Sequence, residues 1–153
     1  MNLYQLLSEK SIKVPLKSRT KDDALAELAD LLCKSHNISQ REVILEGIVK
    51  RESSMSTGIG NGIAVPHCKS SVVWELVAAL GISRDGIDFD STDGKPAKIF
   101  FILIAQENNP GPHVKALAKL ARLLHSSELR DQLIQANTAA EVLKAIKSKE
   151  EIL

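Results

Sequence analysis

The chain has 153 residues, 44% of them hydrophobic and 25% charged, with a formal net charge of +1; it reads as one ordinary globular domain over residues 1–153. That charge, the lack of any basic run and an aromatic content of 3% exclude both an electrostatic footprint and a stacking platform for nucleic acid. Cys33 and Cys68 form no CxxC motif, the start "MNLYQLLSEK" lacks the parts of a secretory signal, and no stretch reaches the roughly 18 apolar residues of a membrane span; the expected place is the cytoplasm, with reduced thiols and no direct membrane insertion.

In chain order, residues 2–7 read as a short amphipathic helix and "IKVPL" (12–16) as a strand closed near Pro15. Thr20 is a predicted N-cap for a helix over 21–35, with Asp22 and Asp23 in its first turn and Leu25, Leu28, Leu31 and Leu32 as its apolar stripe. Ser39 opens a second predicted helix, in which Val43, Ile44, Gly47 and Ile48 recur at helical spacing to about Glu52. "GIAVP" reads as a short buried strand ending just before His67, and "VVWELVAALGI" (72–82) and "KIFFILIA" (98–105) as central strands covered on both faces. Two Asp-Gly pairs between those runs predict a turn or hairpin. Val114, Leu117, Leu120, Leu123 and Leu124 define a helix from Pro112 to Leu124, followed by helices at about 126–135 and 138–148, the last capped by Thr138 with Glu141 three residues on. The expected fold class is α/β: one three-layer domain, a mixed sheet with helices on both faces.

The informative stretch is "RESSMSTGIGNGIAVPHCKS", with Gly58, Gly60 and Gly62 in five residues and His67 directly after Pro66. A dinucleotide loop needs strand, glycines, then helix; here the order is helix, glycines, strand, and no Gly-Lys-Ser/Thr ends the run as a P-loop requires. Two readings of the glycines stay open on the residues alone: a turn needing positive φ, or backbone amides forming a nest for one phosphoryl group. Pro66 restricts its own φ and drives Val65 to an extended conformation, which sets His67 at a stiff strand end. One ring nitrogen could attack phosphorus while the other donates to a backbone carbonyl; the alternative is a half-buried histidine satisfied by hydrogen bonds.

Arg51 lies near the end of the preceding helix, where its planar fork suits phosphate oxygens or is simply solvated, and Ser53, Ser54, Ser56 and Thr57 offer hydroxyl donors or a polar loop. His113 opens a helix after "NNPGP", beside an N-terminus that attracts anions. No metal is expected, because the histidines have no carboxylate at ligand spacing. A Cys68–His67 nucleophilic pair would need a sharp turn, since neighbouring side chains diverge in an extended chain.

Together, "RESSMSTGIGNGIAVPH" and "HVKALAKLARLL" closely resemble the type-2 enzyme IIA domain of the bacterial phosphoenolpyruvate–sugar phosphotransferase system, the group of fructose and mannitol IIA domains and the nitrogen-regulatory IIA protein. The resemblance spans nearly the whole chain, including D-G-K-P-A before a strand and a histidine opening a Leu-rich helix. It implies a mixed, mainly parallel sheet sandwiched by helices and a phosphotransferase component without a cofactor. His67 would take a phosphoryl group on Nε2 from the phosphohistidine of the carrier HPr, or of its nitrogen-branch paralogue, and pass it to an enzyme IIB subunit. Arg51 and His113 match the supporting arginine and second histidine, and Ser56, Thr57, Gly58 and Gly60 the phosphoryl-binding loop. Regulatory protein targets are the expected partners in the nitrogen-regulatory branch. The chain departs from the pattern at Cys68, where the family commonly has glycine, and in the two prolines before His113.

Overall fold

The computed structural model describes residues 2–153. After two single-turn 3-10 helices (Leu3–Leu6 and Glu9–Ser11) the elements are β1 (Ile12–Lys13), α1 (Lys21–Ser35), α2 (Arg41–Ser54), β2 (Gly58–Gly60), β3 (Ile63–Ala64), β4 (His67–Ser70), β5 (Val77–Ile87), β6 (Ala97–Gln106), α3 (Gly111–Leu123), α4 (Ser127–Gln135) and α5 (Ala139–Glu151). Among these residues no helix is long and apolar enough to cross a membrane.

The sheet is mixed, in the order β1-β5-β6-β3-β2, with β4 also paired to β6. The pairings of β1 with β5 and of β3 and β4 with β6 are parallel; β2 pairs antiparallel with β3, and the longest ladder, β5 against β6, is antiparallel. Strand β6 is the keel. Its side chains alternate between two cores: Ile99, Phe101, Leu103 and Ala105 join the core packed by α3, α4 and α5, while Phe100, Ile102 and Ile104 join that of α1 and α2. A strand buried on both faces reads as a continuous apolar run, as "KIFFILIA" does. The three-layer α/β expectation therefore holds.

The predicted caps Thr20 and Thr138 each accept from the backbone N–H three residues on, and Ser126 does the same at the start of α4. Helix α2 instead begins at Arg41 behind Gln40, without a side-chain cap, and runs past Glu52 to Ser54. The first predicted helix shrinks to the 3-10 turn Leu3–Leu6, held by Glu150, whose carboxylate accepts from the N–H groups of Leu3 and Tyr4. The predicted strand 12–16 pairs only over Ile12–Lys13, before a cis Val14–Pro15 peptide.

The predicted strand 72–82 is displaced: pairing starts at Val77 and continues to Ile87, and Trp74 is 97% exposed. The reason is topological. Strands β4 and β5 flank β6 on opposite sides, with Ser70 opposite Gln106 and Val77 opposite Ile104, so residues 71–76 must cross the end of β6. A segment bridging two interstrand spacings, about 9.5 Å, cannot itself join the ladder.

The predicted strand end before His67 also needs correction, because His67 is the first residue of β4. Strands β3 and β4 share one lane beside β6: Ala64 lies opposite Phe100 and His67 opposite Leu103, three residues on in each chain, so the register is unbroken. Pro66 interrupts the lane's donors but not its direction, and its carbonyl still accepts from Leu103 N–H at 3.0 Å.

Ile102 is fully buried at the centre of β6, so Ile102→Ala should lower the unfolding free energy by about 2–5 kcal/mol in urea titrations. Trp74→Ala should change it by less than about 0.5 kcal/mol, as expected for a side chain that packs against nothing.

Candidate active site

Side chains of one strand point alternately to its two faces, and the lane of β3 and β4 uses that rule to separate His67 from Cys68. Ile63 and Val65 lie in the core beneath α3, whereas Ala64 and Cys68 lie in the core beneath α1 and α2. His67 consequently faces the start of α3, where His113 occupies the first turn. The two imidazole rings are 4.9 Å apart between centroids and tilted by 57°.

The His67 ring is half-buried, and its Nδ1 lies 2.7 Å from the Val65 carbonyl oxygen. A carbonyl only accepts, so Nδ1 carries the proton and the neutral ring keeps its lone pair on Nε2. His113 is 7% exposed, and its Nε2 is buried without a hydrogen-bond partner. Burial first, then the charges of His67, Lys69 and Arg51, push the His113 pKa down to about 4. It is thus neutral near pH 7, a polar group beside His67 that adds no repelling charge.

Arg51 stands on the last turn of α2, close enough for its charge to act on His113, and one of its nitrogens, Nη1, donates to the Met55 carbonyl at 2.9 Å. Lys69 is a member that the sequence reading missed. It is two residues beyond His67 on the same strand, so the period of two puts both on one face, and its charge also reaches His113. The strand assignment at 67–70 would have exposed it.

The predicted phosphoryl-binding loop is differently occupied. Ser56 Oγ donates to the Phe89 carbonyl (2.7 Å) and accepts from Gly58 N–H (3.1 Å). Thr57, 4% exposed, gives both its N–H and its Oγ1–H to the carboxylate of Glu52, at 2.8–3.1 Å. Gly58 and Gly60 form the edge strand β2. A methyl group on Gly58 would meet the Ser91 Cα at 2.9 Å, so glycine is required there by close approach; Gly60 adopts φ +92°, the left-handed region. The donors of Ser56, Thr57 and Gly58 therefore close the loop onto the protein itself.

Cys68 Sγ packs against Gly47 of α2, on the side of the sheet away from His67, and burial pushes its pKa up to about 11. The thiol stays protonated and turned away, so it forms no nucleophilic pair with the imidazole. Among the described residues no three His, Cys, Asp or Glu side chains gather as a metal site would need.

A three-layer α/β domain presenting two adjacent histidines, one on a strand and one on a helix start, is the class of protein that fold and site define. The fold is that of the nitrogen regulatory protein IIA-Ntr from Neisseria meningitidis, with a TM-score of 0.87 and 30% identity over 94% of this chain and 98% of that one. The family model described as "Phosphoenolpyruvate-dependent sugar phosphotransferase system, EIIA 2" matches residues 5–149, and the chain belongs to that family of phosphotransferase components. It is 37% identical over 146 residues to the fructose-specific EIIABC component of Bacillus subtilis, covering 95% of this chain but 23% of that protein. It is also 34% identical over 119 residues to the fructose-specific EIIA component of Haloferax volcanii, covering 78% of this chain and 77% of that one.

A histidine whose folded pKa lies below the ordinary 6.5 leaves stability intact above about pH 6.5 and withdraws it as the pH falls towards 4, because the unfolded chain takes up the proton first. His113→Gln should therefore flatten the loss of urea midpoint between pH 7 and 4. The His113 ring should titrate near pH 4 by NMR.

Proposed function

We propose that this chain is a cytoplasmic phosphocarrier that accepts a phosphoryl group from phosphorylated HPr on His67 Nε2 and passes it to an enzyme IIB subunit in carbohydrate uptake of the fructose type. The observation that carries this reading is the 2.7 Å bond from His67 Nδ1–H to the Val65 carbonyl, which leaves Nε2 as the free nucleophile. The His113 ring stands beside it, and the buried Nε2 of that ring has no hydrogen-bond partner in the protein.

In the first step the Nε2 lone pair attacks phosphorus as the bond to the nitrogen of the HPr phosphohistidine breaks, so no proton need move on His67. The ring retains Nδ1–H and becomes cationic, and the Val65 carbonyl stabilises that charge. The transition state is loose, with charge spread over three equatorial oxygens, so catalysis consists of in-line positioning and donors. His113 Nε2–H and the Arg51 fork are those donors, and a neutral His113 lets the pair form without two imidazolium charges in contact. In the second step the same bond breaks towards the IIB acceptor, which the family resemblance makes a cysteine. The Bacillus subtilis relative is named as an EIIABC component, and the chain matches less than a quarter of its length, in keeping with a IIB partner outside the matched part.

A second reading rests on the Neisseria structure, of which the chain covers nearly all: a nitrogen-regulatory IIA protein whose His67 phosphorylation sets its affinity for regulatory targets. The chemistry at His67 is the same in both readings, and only the acceptor differs. Chasing the labelled protein with IIB domains separates them, since a fructose-type carrier discharges to its IIB within seconds and a regulatory protein retains the label.

With phosphoenolpyruvate, enzyme I and HPr, His67→Ala should take up no label; undiminished labelling would end the proposal. Arg51→Ala should keep its fold and slow uptake by about 100- to 1,000-fold, the scale for losing one transition-state donor.

A further inference from the structure

Glu52 is 6% exposed, carries a charge, and has no part in the mechanism above. Its carboxylate projects inward from the last turn of α2, one residue after Arg51, and collects both donors of Thr57. Lys21 at the start of α1 supplies the counter-charge, with Nζ 3.5 Å from Glu52 Oε1 and 4.7 Å above the Phe89 ring.

The backbone around this carboxylate is informative. Strands β2 and β3 are antiparallel, with Gly58 opposite Ala64, so Thr57 and Val65 form the next pair outward. In an antiparallel ladder such a pair exchanges two bonds, N–H to O in each direction. Only one is present: Val65 N–H donates to the Thr57 carbonyl at 3.0 Å. The reciprocal donor, Thr57 N–H, is turned to the Glu52 carboxylate at 2.9 Å. The acceptor it would have used, the Val65 carbonyl, instead takes His67 Nδ1–H at 2.7 Å. One ladder bond has been diverted at its donor end, and its vacated acceptor holds the imidazole.

We propose that Glu52 is a positioning residue for His67: by capturing Thr57 N–H it keeps the Val65 carbonyl from being shared between two donors, and that undivided carbonyl fixes the ring in the Nδ1–H tautomer with Nε2 as nucleophile. The inference rests on the reading of His67 as phosphoryl acceptor and adds the group that sets its protonation pattern. Because Glu52 and Arg51 share one helical turn, the same contact fixes the end of α2, and with it the guanidinium, relative to the β3–β4 lane.

The test is a substitution series at Glu52 in the full chain, read by 15N NMR of the histidine rings and by single-turnover phosphorylation from labelled HPr. Glu52→Met keeps volume but offers no comparable acceptor. Thr57 N–H then returns to the Val65 carbonyl, the His67 resonances shift towards the Nε2–H tautomer, and the rate at saturating HPr falls about tenfold or more while the HPr concentration for half-maximal rate holds. Glu52→Gln retains one acceptor oxygen and should keep the Nδ1–H tautomer, with a rate loss of about threefold. Glu52→Asp, with its carboxylate drawn back, should fall between them. A folded Met variant with wild-type tautomer and rate overturns the proposal. If the Met variant does not fold, wild-type tautomer and rate in the Asp variant do the same. A His67→Ala control run alongside separates the two ideas: label on that variant ends the acceptor reading, whereas an unlabelled control with unaffected Glu52 variants ends only the positioning role.

Discussion

One hydrogen bond, from His67 Nδ1–H to the carbonyl two residues earlier, sets the tautomer and orientation of the ring at the centre of the candidate site. An imidazole free to exchange tautomers divides its population between two nucleophiles, and only one faces a partner held in a given orientation. A backbone carbonyl removes that ambiguity because it cannot donate. The ring has that carbonyl to itself on the β2 side because the Thr57 N–H is turned to Glu52. A ladder bond at this point would have made the carbonyl share its two lone pairs between an amide and the ring.

The architecture follows from keeping that bond rigid while leaving one face of the ring open. Strand β6, buried on both faces, holds β3 and β4 in a single register, so the proline interruption causes no slip. The outward side of the lane faces α3, and the α3 start brings His113 against His67; the inward side packs Cys68 on α2. Alternation along the strand thus places the His67 ring and the Cys68 thiol on opposite faces. Burial favours the uncharged form of both Cys68 and His113, keeping the thiol protonated and the ring neutral, and of these two only His113 adjoins the His67 ring.

In the glycine-rich loop, residue types that suit a phosphoryl nest serve other physical ends in the structure. Its glycines read either as a nest of amides for a phosphoryl group or as turn residues. In the structure Gly58 permits close approach of the Ser91 backbone, Gly60 supplies a left-handed turn, and the Ser56 and Thr57 hydroxyls bond inward. A sequence specifies which donors exist, but not which acceptor lies nearest once α2 and the 88–96 connection have packed beside the loop. The same limit hid Lys69, whose relation to His67 depends on β4 existing, and misplaced the start of β5, because the apolar run "VVWEL" looks like a strand until the crossing of β6 is known.

What the sequence determined by itself was local and periodic. The caps at Thr20 and Thr138, the apolar faces of the helices, the doubly buried strand at 98–105 and the pairing of a rigid Pro-His step with a glycine loop all depend on neighbours within a few positions. Those features, with the motif resemblance, were enough for the fold class and for His67, His113 and Arg51 as candidates. Tertiary structure decided the rest: that His113 meets His67 although 46 positions separate them, that Cys68 turns away, and that Glu52 takes the Thr57 amide. The physical reason is that a hydrogen bond or ring contact joins whichever groups packing brings within a few ångströms, and for residues far apart in the chain that choice belongs to the assembled sheet and its helices.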